Sequence, residues 1–378
     1  MSKEQPRIVL LMDTNRAYER SLLGGILKYS RLHGPISFWR KQNVLAGRDK
    51  EISLDMIKAW NPAGIIWREG YGHVDVKSLD LPIIYAPFSQ PDSELINIVT
   101  DDHAIGQKAA DHLLGRGFNN FAFYGLGDKR YFSKARKAGF LNAIKKAGYD
   151  VDAVDRQDGV DLSEWLSSLK LPVGLMVSND DCTVECYDAA RKAGLSIPND
   201  VAVIGVGNDE MVCDFASPSL SSVAFNSEYA GYTAARLLTQ MIAGKPRKKD
   251  IEVSVLEVVE RQSTSIFALE DKLISKAIQY IHTHIGENLH VNDVVQATPL
   301  SRRSLYQRFK QALGKTIYEE IRQVKTDYAA RMLIETNIPI SEIAENLGFI
   351  DAKNLSRTFY KAKGVTPFKY RTQHSPYK

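Results

Sequence analysis

Two Leu-x-x-x-Phe pairs, Leu305 with Phe309 and Leu355 with Phe359, stand fifty residues apart near the end of this 378-residue chain. Apolar residues four apart share one face of a helix, so each pair marks a helix with one buried stripe. The surroundings repeat as well. Ile274, Ala277, Ile278 and Ile281 recur at helical spacing, and Val291-Asn292-Asp293-Val294-Val295 begins a short second helix. Pro299 breaks the chain, Ser301 is placed to cap a third helix from Arg302 to about Leu313, and Gly314 stops it. A long helix from Ile317 to about Glu335 then leads into Ile338-Pro339-Ile340-Ser341-Glu342-Ile343-Ala344. Leu347-Gly348-Phe349, a break, and a helix from Ala352 through Phe359 follow. A short helix, a turn and a longer helix make the helix-turn-helix outline, here written twice around a bridging helix.

The stripe of the first longer helix leaves Arg302, Arg303, Tyr306 and Gln307 on its other side. Arginine can bond guanine bidentately and glutamine can do the same to adenine. An isolated pair of arginines reads equally well as a solvated face. It is the repeat on a fixed bridge that favours a nucleic-acid partner. Charge points the same way: residues 266–378 hold 17 Lys and Arg against 11 Asp and Glu, whereas the first 265 hold 32 against 34. Positive charge gathered in one segment is the electrostatic footprint of DNA binding, although six charges over 113 residues also suit ordinary surface.

The first 265 residues follow a different grammar. Ile8-Val9-Leu10-Leu11-Met12 is a short apolar run of the kind buried on both faces of a parallel sheet. Strand-like runs recur at Gly64–Trp67, Ile83–Ala86, Asn97–Val99, Phe121–Gly125, Gly174–Val177 and Val201–Gly205, with helical patterns between them. Such alternation predicts right-handed βαβ units in doubly wound sheets, and about 260 residues predict two lobes. A strand-rich stretch over 251–259 ends this part, and short polar residues place a linker near 264–270.

In open α/β sheets ligands bind beyond the strand C-termini. The loops there are polar: Asp13-Thr14-Asn15, Thr100-Asp101-Asp102, Ser178-Asn179-Asp180-Asp181 and Gly207-Asn208-Asp209-Glu210. Acceptors converging with arginines suit a polyhydroxyl ligand. Each loop singly could instead do no more than cap the next helix. Gly125-Leu126-Gly127 and Gly205-Val206-Gly207 do not complete G-x-G-x-x-G, and no phosphate-cradling loop is present, so no nucleotide cofactor is expected. Cys182 and Cys186 lack further ligands nearby and read as small buried side chains, with no metal and no disulfide. No nucleophile elbow appears, and no catalytic residue is assigned. A polar Met1–Arg7 start and the lack of a long apolar run predict a reduced, cytoplasmic protein.

Several stretches of residues 7 to about 265 resemble the LacI/periplasmic-binding-protein superfamily. They are Asp101 with Ala109-Ala110-Asp111-His112-Leu113-Leu114, Phe123-Tyr124-Gly125 followed by Arg136-x-x-Gly139-Phe140, Ser178-Asn179-Asp180, Gly194 to Val201, Val203-Ile204-Gly205, and Ser217 to Val223. The resemblance implies that Arg136 grips the effector's hydroxyls, that Asn179 contributes from the second lobe, and that Asp101 is a hinge-side acceptor. Where that family usually has Asp this chain has Gly207, so either Asn208 or Asp209 reaches in or the acceptor is lost. The tail resembles the AraC family through Ile340-x-Glu342-Ile343-Ala344-x-x-Leu347-Gly348-Phe349, Leu355-Ser356-Arg357-x-Phe359-x-Lys361 and Gly364-Val365-Thr366-Pro367-x-x-Tyr370-Arg371. By that register Arg302, Arg303, Tyr306 and Gln307 read one major-groove segment, and Ala352, Lys353, Asn354, Ser356 and Arg357 read the next.

Joining the two resemblances, the expectation is a two-lobed α/β sensor over residues 1–265 and an all-α DNA-binding domain over 266–378. The pairing is similar to that of regulators of xylose utilisation, down to the run Ala17-Tyr18-Glu19-Arg20. That similarity adds Asp13, Tyr18 and Arg20 to Asp101, Arg136, Asn179, Asp180, Asn208 and Asp209 as candidate effector contacts. On a helix Arg20 reads equally as a surface ion-pair partner. The implied effector is a pentose, xylose first, with arabinose or another sugar as the alternative. The implied partners are double-stranded operator half-sites and a second copy of the chain, with RNA polymerase admitted as a further one. An enzyme or a transport-type binding protein on the same scaffold is the rival reading.

Overall fold

A computed structural model describes residues 5–40, 52–70, 74–245, 249–268, 271–286 and 289–374. The chain falls into two compact units. The first comprises Met1–Asp102, Asp128–Lys134 and Phe225–Val255, and the second comprises His103–Gly127, Ala135–Ala224 and Leu256–Lys378.

In chain order the α/β part runs β1 (Arg7–Leu11), α1 (Ala17–His33), β2 (Ser37–Trp39), α2 (Leu54–Ala59), β3 (Gly64–Arg68), β4 (Ile83–Ala86), β5 (Ile96–Thr100) and α3 (Asp102–Gly115). It continues with β6 (Phe121–Gly125), α4 (Tyr131–Lys146), β7 (Val151–Asp155), α5 (Leu162–Ser168), β8 (Val173–Val177), α6 (Thr183–Lys192), β9 (Val201–Val206) and α7 (Glu210–Phe215). It closes with β10 (Ser221–Phe225), α8 (Ser227–Ile242), β11 (Ile251–Val253) and β12 (Val255–Val259). Among the described residues two six-stranded sheets result, ordered β11-β5-β4-β3-β1-β2 and β12-β10-β9-β8-β6-β7. Pairing is parallel along β11-β5-β4-β3-β1-β2 and along β10-β9-β8-β6-β7, as between β1 and β3, where Val9 faces Ile65, and between β8 and β9, where Leu175 faces Val203. The apolar runs are buried on both faces, as such sheets require.

The stretch 251–259 is not one strand. Ser254 divides it, β11 pairing with β5 in the first sheet and β12 lying beside β10 in the second. The expected linker is also tied down at its start. Ser263 and Thr264 are fully buried, with the Ser263 hydroxyl donating to the Val203 carbonyl at 2.6 Å. Residues 269–270 of that linker, and Met1–Glu4 of the N-terminal start, lie outside the described residues.

Helices pack closely where glycine removes the side chain. In the first unit α1 meets α8 backbone to backbone, and a Cβ on Gly25 would stand 1.8 Å from the Glu228 carbonyl oxygen.

The helical part runs α9 (Lys272–Thr283), α10 (Val291–Gln296), α11 (Arg302–Leu313), α12 (Ile317–Glu335), α13 (Ile340–Asn346), α14 (Ala352–Lys363) and α15 (Pro367–His374). It has two cores. Leu305 and Phe309 sit in one with Ile278 and Ile281, and Leu355 and Phe359 sit in the other with Ile343, Leu347 and Tyr370. The bridging helix enters both, giving Ile317 and Ile321 to the first and Ala329, Ala330 and Leu333 to the second.

Gly24 and Gly25 give a paired test of this packing. Nothing lies within 4 Å of a Cβ on Gly24, so Gly24→Ala should be neutral or stabilising by up to about 1 kcal/mol. Gly25→Ala should destabilise by about 1–3 kcal/mol, because α1 and α8 must separate to admit it. Thermal unfolding of the two variants measures the contrast.

Candidate effector cluster and nucleic-acid interface

α1 is amphipathic, and its buried positions Glu19, Leu22, Leu23 and Ile26 follow helical spacing. One of the four is an acid. Burying a carboxylate is costly unless it is paired, and Arg68 at the end of β3 supplies the pair, with Nε donating to Glu19 Oε1 at 3.1 Å. The same guanidinium donates to the Ala86 and Pro87 carbonyls at 3.1 and 2.7 Å. It stacks 3.5 Å from the Phe88 ring centroid and 4.7 Å from that of Tyr18. Arg16 and Arg130 approach the same Phe88 ring at 5.8 and 5.5 Å. Glu19 Oε2 is buried and has no hydrogen-bond donor among the described residues. A buried acceptor of this kind calls for a donor from a ligand or a water. Beside it Glu69 binds the Ser89 amide and hydroxyl and the Phe88 amide. Burial pushes that carboxyl up, and these hydrogen bonds outweigh it and hold it below the usual range.

Of the expected effector contacts in this unit, Tyr18 lies in the cluster and also packs 6.0 Å from Phe225. Asp13 accepts from Thr14 N at 2.6 Å and Asn15 Nδ2 at 2.5 Å, shaping the loop after β1. Arg20 donates to the carbonyls of Thr14 and Asn15 and so braces that loop. Asp101 is exposed just before α3.

The second unit holds the remaining candidates. Arg136 is buried on α4 and donates to the Ser178 carbonyl at 2.7 Å. Asn179 follows β8 and accepts from the Cys182 thiol at 2.7 Å. Asp180 is buried, and both its oxygens serve the protein itself: one accepts from the Ser222 hydroxyl at 2.7 Å, the other from the Asp209 amide at 2.8 Å. Burial pushes this carboxyl up to about 6 despite those bonds. Gly207 has φ +125°, and a Cβ there would stand 3.2 Å from the Asp180 carboxylate, which accounts for a residue without a side chain at that point. Asn208 is held by Arg261, whose Nη1 donates to its amide oxygen at 2.9 Å, and Asp209 caps α7 by accepting from Met211 N.

In the helical part α11 is capped by Ser301, which accepts from Ser304 N, and ends on Gly314 at φ +69°. α14 is capped by Asp351, which accepts from Asn354 N, and ends on Gly364 at φ +72°. The two helices are twelve residues each and have the same apolar pair pointed inward. Arg302, Arg303, Tyr306 and Gln307 are exposed on the first, and Lys353 and Arg357 are exposed on the second. Ala352, Asn354 and Ser356 are half-buried. α12 joins the copies from a capping box in which Thr316 and Glu319 satisfy each other's backbone amides.

Comparison with known proteins bears on both regions. A periplasmic binding protein-like domain matches residues 110–264 and a helix-turn-helix domain matches residues 294–373. The xylose operon regulatory protein of Escherichia coli strain K12 is 28% identical over 99% of both chains. That of Haemophilus influenzae is 28% identical over 98% of this chain and 99% of its own. The chain is a transcription regulator. Among solved structures, that of the xylose-binding transcription activator xylR aligns with 99% of this chain and all of its own at TM-score 0.59 and 26% identity. The transcription regulator CcpA of Lactococcus lactis, 18% identical, shares the fold of 69% of the regulator at TM-score 0.55. These relatives are regulators rather than enzymes, and the helix-turn-helix domain makes DNA the regulator's macromolecular partner.

The reading of the candidate residues missed Glu19, Arg68, Phe88 and Arg130. Glu19 carried a signal, since an acid on the apolar stripe of a helix must find a partner. Arg68, at the C-terminal end of a strand, carried a weaker one.

Asp180 makes a pH prediction. Its acid form is favoured in the fold, so between the ordinary 3.8 and about 6 the unfolded chain ionises first. That contribution to stability therefore falls as pH rises through this window, and Asp180→Asn should flatten it in denaturant titrations at pH 4 to 6.5. On the reader, Arg303→Ala or Arg357→Ala should each cost about 1–3 kcal/mol of operator affinity if it bonds a base edge. Gel-shift titration at fixed salt, with circular dichroism showing an unchanged fold, measures the loss.

Proposed function

We propose that this regulator is a cytoplasmic sugar-responsive activator whose effector is a pentose, xylose first, and whose residues 1–265 form the sensor and 266–378 the reader. The observation that carries the effector reading is the Glu19–Arg68–Tyr18–Phe88 cluster with its buried acceptor, Glu19 Oε2. Charged groups beside aromatic faces suit a sugar, whose hydroxyls donate and accept and whose C–H faces pack on rings. Asp13, Tyr18, Arg20, Asp101, Arg136, Asn179, Asp180, Asn208 and Asp209 stay proposed as effector contacts or as the frame that sets them. The names of the relatives that span the whole chain support xylose, and arabinose or another pentose or hexose is the alternative.

On the DNA side, Arg302, Arg303, Tyr306 and Gln307 on α11 and Ala352, Lys353, Asn354, Ser356 and Arg357 on α14 are proposed to read two successive major-groove segments. A second copy of the chain would engage a paired half-site, and RNA polymerase is the partner an activator implies. Sugar can control DNA binding only through a difference in affinity between two states of the protein.

Calorimetric titration of the full chain with a panel of pentoses and hexoses tests this. Xylose should bind, and Glu19→Gln should weaken it by about 1.5–3 kcal/mol, the size of a hydrogen bond to a charged group. Heat from another sugar alone would move the regulator to the alternative effector. Silence across the panel would remove the sensor reading.

A further inference from the structure

For a sugar to control DNA binding, the sensor's state must reach the DNA-reading helices. Within the second unit the lobe formed by β6–β10 and β12 touches the helical part through charged side chains. Glu257 lies on β12 and bonds Lys108 of α3 at 3.0 Å, while its other oxygen takes the ammonium of Lys363. Lys363 is in the last turn of α14, the second of the two reading helices, and it also bonds Asp327 of α12 at 2.7 Å. Three residues on, Glu260 bonds Arg116, in the turn after α3, at 2.5 Å and His282 of α9 at 3.1 Å. His282 passes the contact to Glu320 of α12 at 3.2 Å, and Glu320 meets Lys315. Two carboxylates, one on the edge strand and one just past its end, thus reach α9, α12 and α14.

The junction is not filled throughout. A cavity of about 560 Å³ lies beside it, walled by Leu114, Phe118 and Tyr149 on one side and by Arg308, Gln311 and Ala312 on the other. A junction selected for strength alone would be closed by apolar packing, since partly buried ion pairs add little net stability. Directional charged hydrogen bonds instead fix one geometry and can be exchanged for another. The strand that carries Glu257 is also the continuation, through Ser254, of β11 in the first unit's sheet.

We propose that Glu257 and Glu260 are positioning residues: without touching DNA, they hold α14 and α12 to the sensor and transmit its effector state to the reader. The proposal rests on the sugar-responsive reading above. Glu257→Gln is the informative change, because it removes the link to the sensor and leaves Lys363 paired with Asp327 inside the reader.

The test uses the full chain and DNA from the promoter beside its own gene. Operator affinity is measured with and without saturating xylose for the wild type, Glu257→Gln, Glu260→Gln and the double variant. The wild-type ratio should be of the usual allosteric size, about 5- to 150-fold. In the double variant it should fall at least fivefold or reach unity, while xylose affinity without DNA changes less than twofold. Reciprocity supplies a second readout that structural damage would not mimic, since DNA must shift xylose affinity by the same factor in each protein. Should the double variant fail to fold, Glu257→Gln alone, with Glu257→Asp restoring the ratio, decides the matter. A double variant, or that single variant, as responsive as the wild type would overturn the proposal and leave the regulatory reading standing. A wild type indifferent to every sugar would overturn both.

Discussion

One extended segment, Ile251–Val259, supplies an edge strand to each of the two sheets. Parallel sheets of this kind are buried on both faces and need long crossovers, so chain entering or leaving them is constrained at the edges. Here the change of sheet takes a single residue, Ser254, whose carbonyl accepts from Asn226 N at 2.9 Å. The reader follows directly, after a turn locked by the Ser263 and Thr264 hydroxyls. It is therefore attached to a strand rather than to a tether. Phe267, only three residues past Thr264, is already in the first helical core.

The reader was the most legible part of the sequence. Its helix ends are set by local chemistry, a hydroxyl or carboxylate at the N-cap and a glycine in the left-handed conformation at the C-terminus, so α11 runs from Arg302 to Leu313 as its caps foretell. The sheets were legible where strands are continuous apolar runs. β7 reads Val-Asp-Ala-Val-Asp, β10 opens on two serines and β2 has three residues, so none of them announces itself by periodicity. The passage from β11 to β12 was invisible for another reason. Both halves have the same strand-like composition, and which sheet each joins is decided by partners far away in sequence.

The polar loops after the strands are legible in the sequence, but the orientation of their side chains is not. Asp180 and Asn208 sit in the expected polar loops, yet their oxygens are taken by Ser222, the Asp209 amide and Arg261, and no motif says where an oxygen points. Glu19 shows the reverse case. It stands between two candidates, Tyr18 and Arg20, and its place in line with Leu22, Leu23 and Ile26 makes it the acid with the greatest need of a partner.

The three cysteines, all free and buried in the second lobe, have a practical consequence. The thiolate is the reactive form, and burial pushes Cys182 up to about 11 and raises Cys186 and Cys213 as well. The native thiols are thus shielded from maleimide dyes as well as from oxidants. A cysteine introduced at an exposed site, such as the outer face of α11, would take a fluorophore selectively in the otherwise unaltered chain.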